Sequence, residues 1–170
     1  MKNRKKFVVV FAGPVGSSKT PIAFHLSYTF NLPIFNTDTI RSEVSEDLLE
    51  YDVKEYEKRR DKRLKEVIAK GNSFILDGSI DREWQKYKKW IDRGHYEILV
   101  ISMDLSKEFI SKLFKAKLYQ ATMHIDKWMN DHETFLGIYE NVVDVHITEA
   151  DFKDRLSLSS EKLNEWINKK

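Results

Sequence analysis

Eight residues at positions 13–20, Gly-Pro-Val-Gly-Ser-Ser-Lys-Thr, have the types and spacing needed to hold a phosphate group. They lie where an apolar run, residues 6–12, gives way to a helical pattern, which is the context that a phosphate-binding loop requires. Backbone N–H groups of such a loop form an anion-binding concavity at the positive end of the helix. An ordinary strand-to-helix turn is the alternative. On the first interpretation, the nucleotide-binding residues are Gly13, Pro14, Val15, Gly16, Ser17, Ser18, Lys19 and Thr20.

Two side chains of this loop have distinct predicted roles, and two positions depart from the usual pattern. We expect Lys19 to reach the terminal phosphates and the Thr20 hydroxyl to complete the coordination of Mg²⁺. Ser18 stands where glycine is usual, so a side chain could crowd the phosphates. Pro21 lacks the N–H that usually donates to an α-phosphate. Where no water replaces that contact, nucleotide affinity should fall by about 1–3 kcal/mol.

Carboxylates at the ends of two further predicted strands would supply the remaining chemistry. Asp38 lies just beyond the strand predicted at 33–36, with Arg41 one helical turn further on the same side. Asp77 ends an apolar run, where a carboxylate would hold Mg²⁺ through water, opposite Thr20. Ligands of open α/β sheets bind outside the carboxyl ends of the strands. The alternatives are a helix cap for Asp38 and a turn aspartate for Asp77.

Residues 13–20 together with residues 36–41, Asn-Thr-Asp-Thr-Ile-Arg, resemble the small P-loop kinases of the predicted-kinase group. That group includes polynucleotide 5′-kinases, chloramphenicol phosphotransferase, gluconate-type kinases and zeta toxins. The resemblance continues through Tyr56, the turn at Gly71 and Asp77, and covers residues 6–104 better than the remainder. It implies that Asp38 activates the acceptor, that Arg41 clamps phosphate or acceptor, and that the sheet has the strand order 2-3-1-4-5.

Cations outside the loop are candidates for contacting the substrate. Arg60 lies within the apolar stripe of a charged helix predicted at 52–70, where it is either an anion clamp or a snorkelling stem. Arg82 follows the third strand, where related kinases often keep a substrate-facing arginine. The resemblance implies a lid after the fourth strand, at about 106–140, but this stretch contains no arginine. We therefore nominate Lys115 or Lys117 as the lid cation, although lysine lacks the bidentate fork of arginine.

Histidines in the predicted lid region suggest a metal site at first sight. His124 and His132, with Asp126 and Asp131, have a spacing that fits no compact ligand motif. We therefore predict no zinc site and expect His132 to pack beside aromatic neighbours.

The elements that must position these residues alternate between strand and helix, which predicts an α/β fold with a parallel sheet covered on both faces. We expect one P-loop kinase-like domain over residues 1–170, a three-layer sandwich with five parallel strands and a helical lid. The predicted strands are 6–12, 33–36, 73–77, 96–103 and 142–147. The predicted helices are 19–31, 37–49, 52–70, 81–92, a stretch at 106–140 broken near 120–122, and 159–168.

Composition limits the function classes. The 170 residues carry a formal net charge of +2 and no cysteine, which excludes disulfides, thiolate zinc sites and thiol catalysis. Both halves of the chain are balanced in charge, which gives no support to a nucleic-acid or membrane binder. Its longest apolar run is too short to span a bilayer and ends in a glycine-rich turn. We therefore expect a cytoplasmic protein, monomeric or weakly dimeric.

These observations favour an ATP- and Mg²⁺-dependent phosphotransferase that acts on a hydroxyl of a small molecule, nucleoside or nucleotide. ATP is preferred over GTP because the sequence has no Asn-Lys-x-Asp stretch. Two alternatives stay open. One is a nucleotide-binding module with weak or no transferase activity, and the other is a kinase of polynucleotide 5′-hydroxyls.

Overall fold

Five parallel strands form one sheet in the order β2-β3-β1-β4-β5, as predicted. The computed structural model describes residues 6–118, 120 and 122–169. Parallel pairing of strands that are far apart in sequence requires a crossover between them, and helices supply each crossover here. The strands are β1 (Phe7–Ala12), β2 (Ile34–Asn36), β3 (Phe74–Ser79), β4 (Glu97–Asp104) and β5 (Val145–Thr148).

Helices cover both faces of this sheet. The described helices are α1 (Lys19–Phe30), α2 (Thr37–Leu48), α3 (Val53–Lys70), α4 (Trp84–Arg93), α5 (Lys107–Ala116), α6 (Ile125–Tyr139) and α7 (Arg155–Lys169). Short 3₁₀ turns occupy Thr122–His124, Glu140–Val142 and Phe152–Asp154. The predicted break near 120–122 is confirmed, although residues 119 and 121 lie outside the described residues. In the described part of the chain, no helix combines the length and apolar character needed to cross a membrane.

The central strand β1 explains why the core has two parts. Its side chains alternate between the faces, so Val8 and Val10 pack with α3 and α4, while Val9 and Phe11 pack with α1 and α7. All four are fully buried. A strand buried on both faces needs apolar residues at every position, which is why this run shows no polar alternation.

Two predicted boundaries were wrong near the C-terminal end of the chain. Helix α7 begins at Arg155, four residues before the predicted cap at Ser159. The Ser159 hydroxyl donates instead to the carbonyl of Arg155 at 2.6 Å, inside the helix. Serine often bonds back to the preceding turn in this way, so its presence does not mark a helix start. Strand β5 begins at Val145 and not at the predicted position 142, because Val142 is the last residue of a 3₁₀ turn.

The carboxyl ends of the five strands meet at one edge of the sheet. Ala12, Asn36 and Asp104 are the last residues of their strands, and Asp77 lies two residues before the end of β3. Because the strands are parallel, every candidate polar side chain that follows a strand is delivered to the same edge.

Candidate active site

The phosphate loop, residues 13–20, runs from the end of β1 into the first turn of α1 and depends on two glycines. Gly13 has φ 129° and Gly16 has φ 79°, values that favour glycine. A Cβ on Gly13 would lie 2.8 Å from the Cβ of Met103, and a Cβ on Gly16 would overlap the ring of Phe114. The loop is therefore packed closely against β4 and α5.

Ser18 adopts the left-handed conformation that glycine usually supplies at this position, with φ 78° and ψ 26°. A non-glycine residue there costs about 1 kcal/mol. Its hydroxyl accepts a hydrogen bond from Nε of Arg155 at 2.9 Å. The side chain that replaces the usual glycine is thus held by a cation of α7.

Lys19 is half-buried and its ammonium group turns back over the loop. Its Nζ donates to the carbonyls of Gly13 and Pro14 at 2.8 and 2.6 Å, and to the Ser17 hydroxyl at 3.1 Å. Burial lowers the pKa of Lys19 to about 8, although the negative charges of Asp81, Asp77 and Asp38 oppose the shift. A phosphate bound beside this ammonium would restore the charge that burial disfavours.

Thr20 and Asp77, which were predicted to hold Mg²⁺, lie together at the N-terminal end of α1. The Thr20 hydroxyl donates to Oδ1 of Asp77 at 3.1 Å, and Nδ2 of Asn36 donates to Oδ2 at 2.7 Å. Burial raises the pKa of Asp77, and the negative charge of Asp38 adds to this effect. A divalent cation would compensate the buried carboxylate, and hydroxyl and carboxylate oxygens are the ligands that Mg²⁺ prefers.

These two side chains would have to share a metal with other ligands. Among the described residues, no group of three or more acidic, histidine or cysteine side chains is arranged to hold a metal ion. Mg²⁺ usually keeps several waters and binds phosphate oxygens beside one or two protein ligands. The residues present therefore fit that ion together with a nucleotide.

Asp38 lies in the first turn of α2 and is exposed to solvent. Its negative charge acts on both Lys19 and Asp77. The cap of α2 is Asn36, whose Oδ1 accepts the N–H of Thr39 at 2.9 Å. The capping alternative for Asp38 is therefore wrong. Its role as a base stays a prediction.

Arg41 is exposed on α2, and its guanidinium lies over the ring of Tyr51, 4.4 Å from the ring centre. Tyr51 belongs to the segment that connects α2 to α3. A clamp role for Arg41 stays a prediction.

Two cations approach the other end of the phosphate loop. Nζ of Lys117, one of the two nominated lid lysines, donates to the carbonyl of Gly16 at 3.1 Å. Arg155 bonds Ser18 and also lies over the ring of Phe152. Burial and then the positive charge of Arg155 lower the pKa of Lys117, and burial lowers the pKa of Arg155. Two positive charges held together beside this loop favour an anionic ligand.

Sequence reasoning missed Arg155 because the helix that carries it was predicted to begin later. A long separation in sequence, 137 residues from Ser18, leaves no local spacing signal. The alternative nominee, Lys115, is exposed on α5, and the described residues give its side chain no contact with the phosphate loop.

The two predicted substrate arginines have other described contacts. Arg60 is buried between α3 and α4, where it pairs with Asp61 at 2.9 Å and with Glu83 at 3.4 Å. Arg82 is mostly exposed, and its Nε lies 3.5 Å from a carboxylate oxygen of Asp131 in α6. Neither is brought to the phosphate loop by the described contacts, so substrate binding by either stays a prediction.

Solved structures with a similar fold include several kinases. A gluconokinase from Sinorhizobium meliloti 1021 superposes with a TM-score of 0.70 at 11% identity, covering 98% of this chain and 97% of that one. A sugar kinase from Janibacter sp. HTCC2649 gives 0.67 at 16% identity, with coverages of 96% and 95%. Shikimate kinase from Aquifex aeolicus gives 0.59 at 15%, with coverages of 94% and 97%. The chain has the fold of the small P-loop kinases.

The likeness is one of structure. No protein-family model matches the amino-acid sequence, and no curated protein matches it. At identities of 11–16%, the feature shared with these proteins is the fold, which does not by itself determine the chemistry.

Proposed function

We propose that the protein is a phosphotransferase that uses ATP and Mg²⁺ to phosphorylate a hydroxyl group of a small molecule, nucleoside or nucleotide. The observation that carries the proposal is the pairing of Thr20 with Asp77 at the foot of the phosphate loop, beside Lys19. A loop with its lysine, its hydroxyl and a carboxylate from the neighbouring strand is the assembly that P-loop kinases require.

Each residue has a distinct role in this proposal. The loop N–H groups and Lys19 bind the phosphates, while Thr20 and Asp77 would hold Mg²⁺, which supplies charge neutralisation when bound. Asp38 takes the proton of the acceptor hydroxyl while the oxygen of that hydroxyl forms a bond to the γ-phosphorus. The bond from phosphorus to the bridging oxygen breaks, and ADP leaves.

A nucleotide-binding module with little transferase activity is the second candidate, and specific observations favour it. Residues 106–140 lack arginine, and Pro21 lacks an N–H at the expected α-phosphate contact. Such a protein would bind ADP and ATP without transferring phosphate.

Phosphorylation of polynucleotide ends has less support. Arg59 and Arg63, two basic residues of α3, both pair with Glu43 of α2, and Arg59 also pairs with Asp47 and Glu55. Positive charges that are already paired contribute little to binding a nucleic-acid backbone.

An acceptor screen with labelled ATP and Mg²⁺ tests the proposal. Because the similar structures include gluconate, sugar and shikimate kinases, the panel contains hydroxylated acids and sugars, together with nucleosides, nucleotides and 5′-hydroxyl oligonucleotides. Label transfer to a small acceptor supports the proposal. ATP binding without any transfer would favour the binding module, and transfer only to oligonucleotides would favour the third candidate.

Asp38→Asn separates the roles within the site. If Asp38 is the base, single-turnover transfer falls roughly a hundredfold, the usual scale of general-base loss, while ATP affinity stays nearly unchanged. The exposed Asp47→Asn in the same helix is the control and should retain the rate. An unchanged rate in Asp38→Asn would contradict the assigned role.

A further inference from the structure

A buried carboxylate holds the first residue of the phosphate loop. The N–H of Gly13 donates to both carboxylate oxygens of Asp81, at 3.1 and 3.2 Å. The segment that carries Asp81 is itself tied to β1, because the N–H of Ile80 donates to the carbonyl of Phe11 at 2.9 Å. Asp81 is also first among the acidic groups whose charge acts on Lys19.

The other neighbour of this carboxylate is a histidine of α6. Nδ1 of His132 lies 3.4 Å from Oδ2 of Asp81, and Nε2 lies 3.3 Å from Oδ1 of Asp104 at the end of β4. The side chains of Asp81 and His132 are only 5% and 4% exposed. Burial alone would lower the pKa of His132, but the two carboxylates outweigh it and raise the pKa to about 9. The protonated ring hydrogen-bonds Asp104 through Nε2, while Nδ1 makes an ion pair with Asp81 that lacks hydrogen-bond geometry.

The charged groups around this ring come from several elements. Behind Asp104, the hydroxyl of Ser102 and Nδ1 of His146 each lie 2.5 Å from a carboxylate oxygen. Burial opposes the shift, yet bonds to His132, Ser102 and His146 lower the pKa of Asp104 to about 2.

Two further charged groups lie near His132 and Asp81. Asp131 precedes His132 in α6 and pairs with Arg82, and the charge of Asp81 acts on Lys19 of the loop.

We propose that Asp81 is a positioning residue for the phosphate loop, and that His132 of α6 holds Asp81 in the orientation that bonds Gly13. This inference rests on the proposed nucleotide binding. A carboxylate that accepts a backbone N–H through two oxygens fixes the direction of that peptide, and Gly13 is the residue whose unusual φ starts the loop. The pair formed by Asp81 and His132 thereby connects the predicted lid region to the loop.

Calorimetric titration with ADP and Mg²⁺ at pH 6.5 tests the first part. We expect Asp81→Asn to raise the Kd for ADP about tenfold, the scale of one charge-assisted hydrogen bond. Asp144→Asn is the matched control, because the Asp144 carboxylate also accepts a backbone N–H, that of Val100 in β4, but touches neither His132 nor the loop in the described contacts. It should change the Kd less than about threefold. Equal effects of the two substitutions would overturn the positioning role.

A double-mutant cycle tests the role of His132. If His132 acts through Asp81, His132→Asn weakens ADP binding severalfold in the native background and has almost no effect in Asp81→Asn. A histidine that serves only packing would give the same factor in both backgrounds, and that additivity would overturn the coupling.

Amide exchange keeps the inference testable if Asp81→Asn does not fold or if ADP does not bind. In ¹⁵N-labelled protein, His132→Asn should accelerate exchange of the Gly13 amide proton about tenfold. The Gly71 amide, which bonds the carbonyl of Ile68, should not change and serves as the internal control. Identical exchange of the Gly13 amide in the native protein and in His132→Asn would overturn the positioning role of the pair Asp81 and His132. Absence of ADP binding by the native protein would count against the proposed function alone.

Discussion

The two ends of the phosphate loop are held by groups of opposite charge. At its start, Gly13 donates its N–H to the buried carboxylate of Asp81. At its end, Lys117 and Arg155 bond the carbonyl of Gly16 and the hydroxyl of Ser18. A carboxylate at the start occupies an N–H and would repel phosphate, whereas two cations at the end would attract it. The start of the loop is therefore built for positioning, and its end is suited to binding an anion.

Lys19 lies inside the loop between its two ends, and its substitution should have the largest effect on ATP turnover. In Lys19→Ala the ammonium that bonds the carbonyls of Gly13 and Pro14 is lost, and with it the main positive charge inside the loop. We expect ATP turnover to fall roughly a hundredfold or more. Calorimetry and steady-state rates would check this, with Lys58→Ala on α3 as the surface control. Unchanged ATP affinity and turnover would reject the phosphate-loop assignment.

Raising the pH should weaken the interactions at the start of the loop, where Asp81 and His132 lie, and not those at its end. The pKa of His132 is raised from 6.5 to about 9, so its stabilising charge is fully present below pH 6.5 and is lost as the pH rises toward 9. Between pH 6.5 and 8, the free energy of unfolding of the native protein should fall by about 2 kcal/mol relative to His132→Asn. Urea unfolding of both proteins at the two pH values measures this difference.

The comparison of the native protein with His132→Asn from pH 6.5 to 8 lies below the pH range in which Lys19 loses its proton. The pKa of Lys19 is lowered to about 8, so its effect on stability has the opposite sign and develops between pH 8 and 10.5. Parallel curves for the native protein and His132→Asn from pH 6.5 to 8 would contradict an ion-paired His132.

Arg155→Ala probes the cationic end. The loss of one positive charge beside Ser18 should raise the Kd for ADP about tenfold, while the carboxylate end stays intact. Lys115→Ala is the matched control, because this lysine is exposed on α5 and should leave the Kd unchanged. If both variants bind ADP like the native protein, Arg155 serves only to anchor Ser18.

Pro21→Ala should have the smallest effect and the opposite sign. It restores an N–H at the start of α1, where an α-phosphate is expected, so ADP and ATP should both bind severalfold more tightly. Pro33→Ala, before β2, is the control for a proline change elsewhere. Unchanged or weaker binding of both nucleotides would show that the loop already compensates for the missing N–H or never uses that contact.

Local sequence signals were sufficient for the parts of the site whose residues are close in the chain. The loop at 13–20 is contiguous, and strands with continuous apolar runs predict a parallel sheet whose carboxyl ends meet at one edge. That logic predicted Asp77 opposite Thr20 although 57 residues separate them, and in the structure the two side chains form a hydrogen bond. The boundary of α7 failed because serine bonding inside a helix resembles a serine cap.

Tertiary structure alone decided which distant polar groups complete the loop. Asp81 reaches Gly13, His132 reaches Asp81, and Arg155 reaches Ser18 because separate elements converge on one edge of the sheet. The spacing of these residues in the sequence follows no helical or strand period, so no sequence pattern predicts their contacts. His132 illustrates the difference. Its aromatic neighbours in sequence favoured simple packing, whereas burial between two carboxylates gives it a charge, because a buried carboxylate must find a partner for its oxygens.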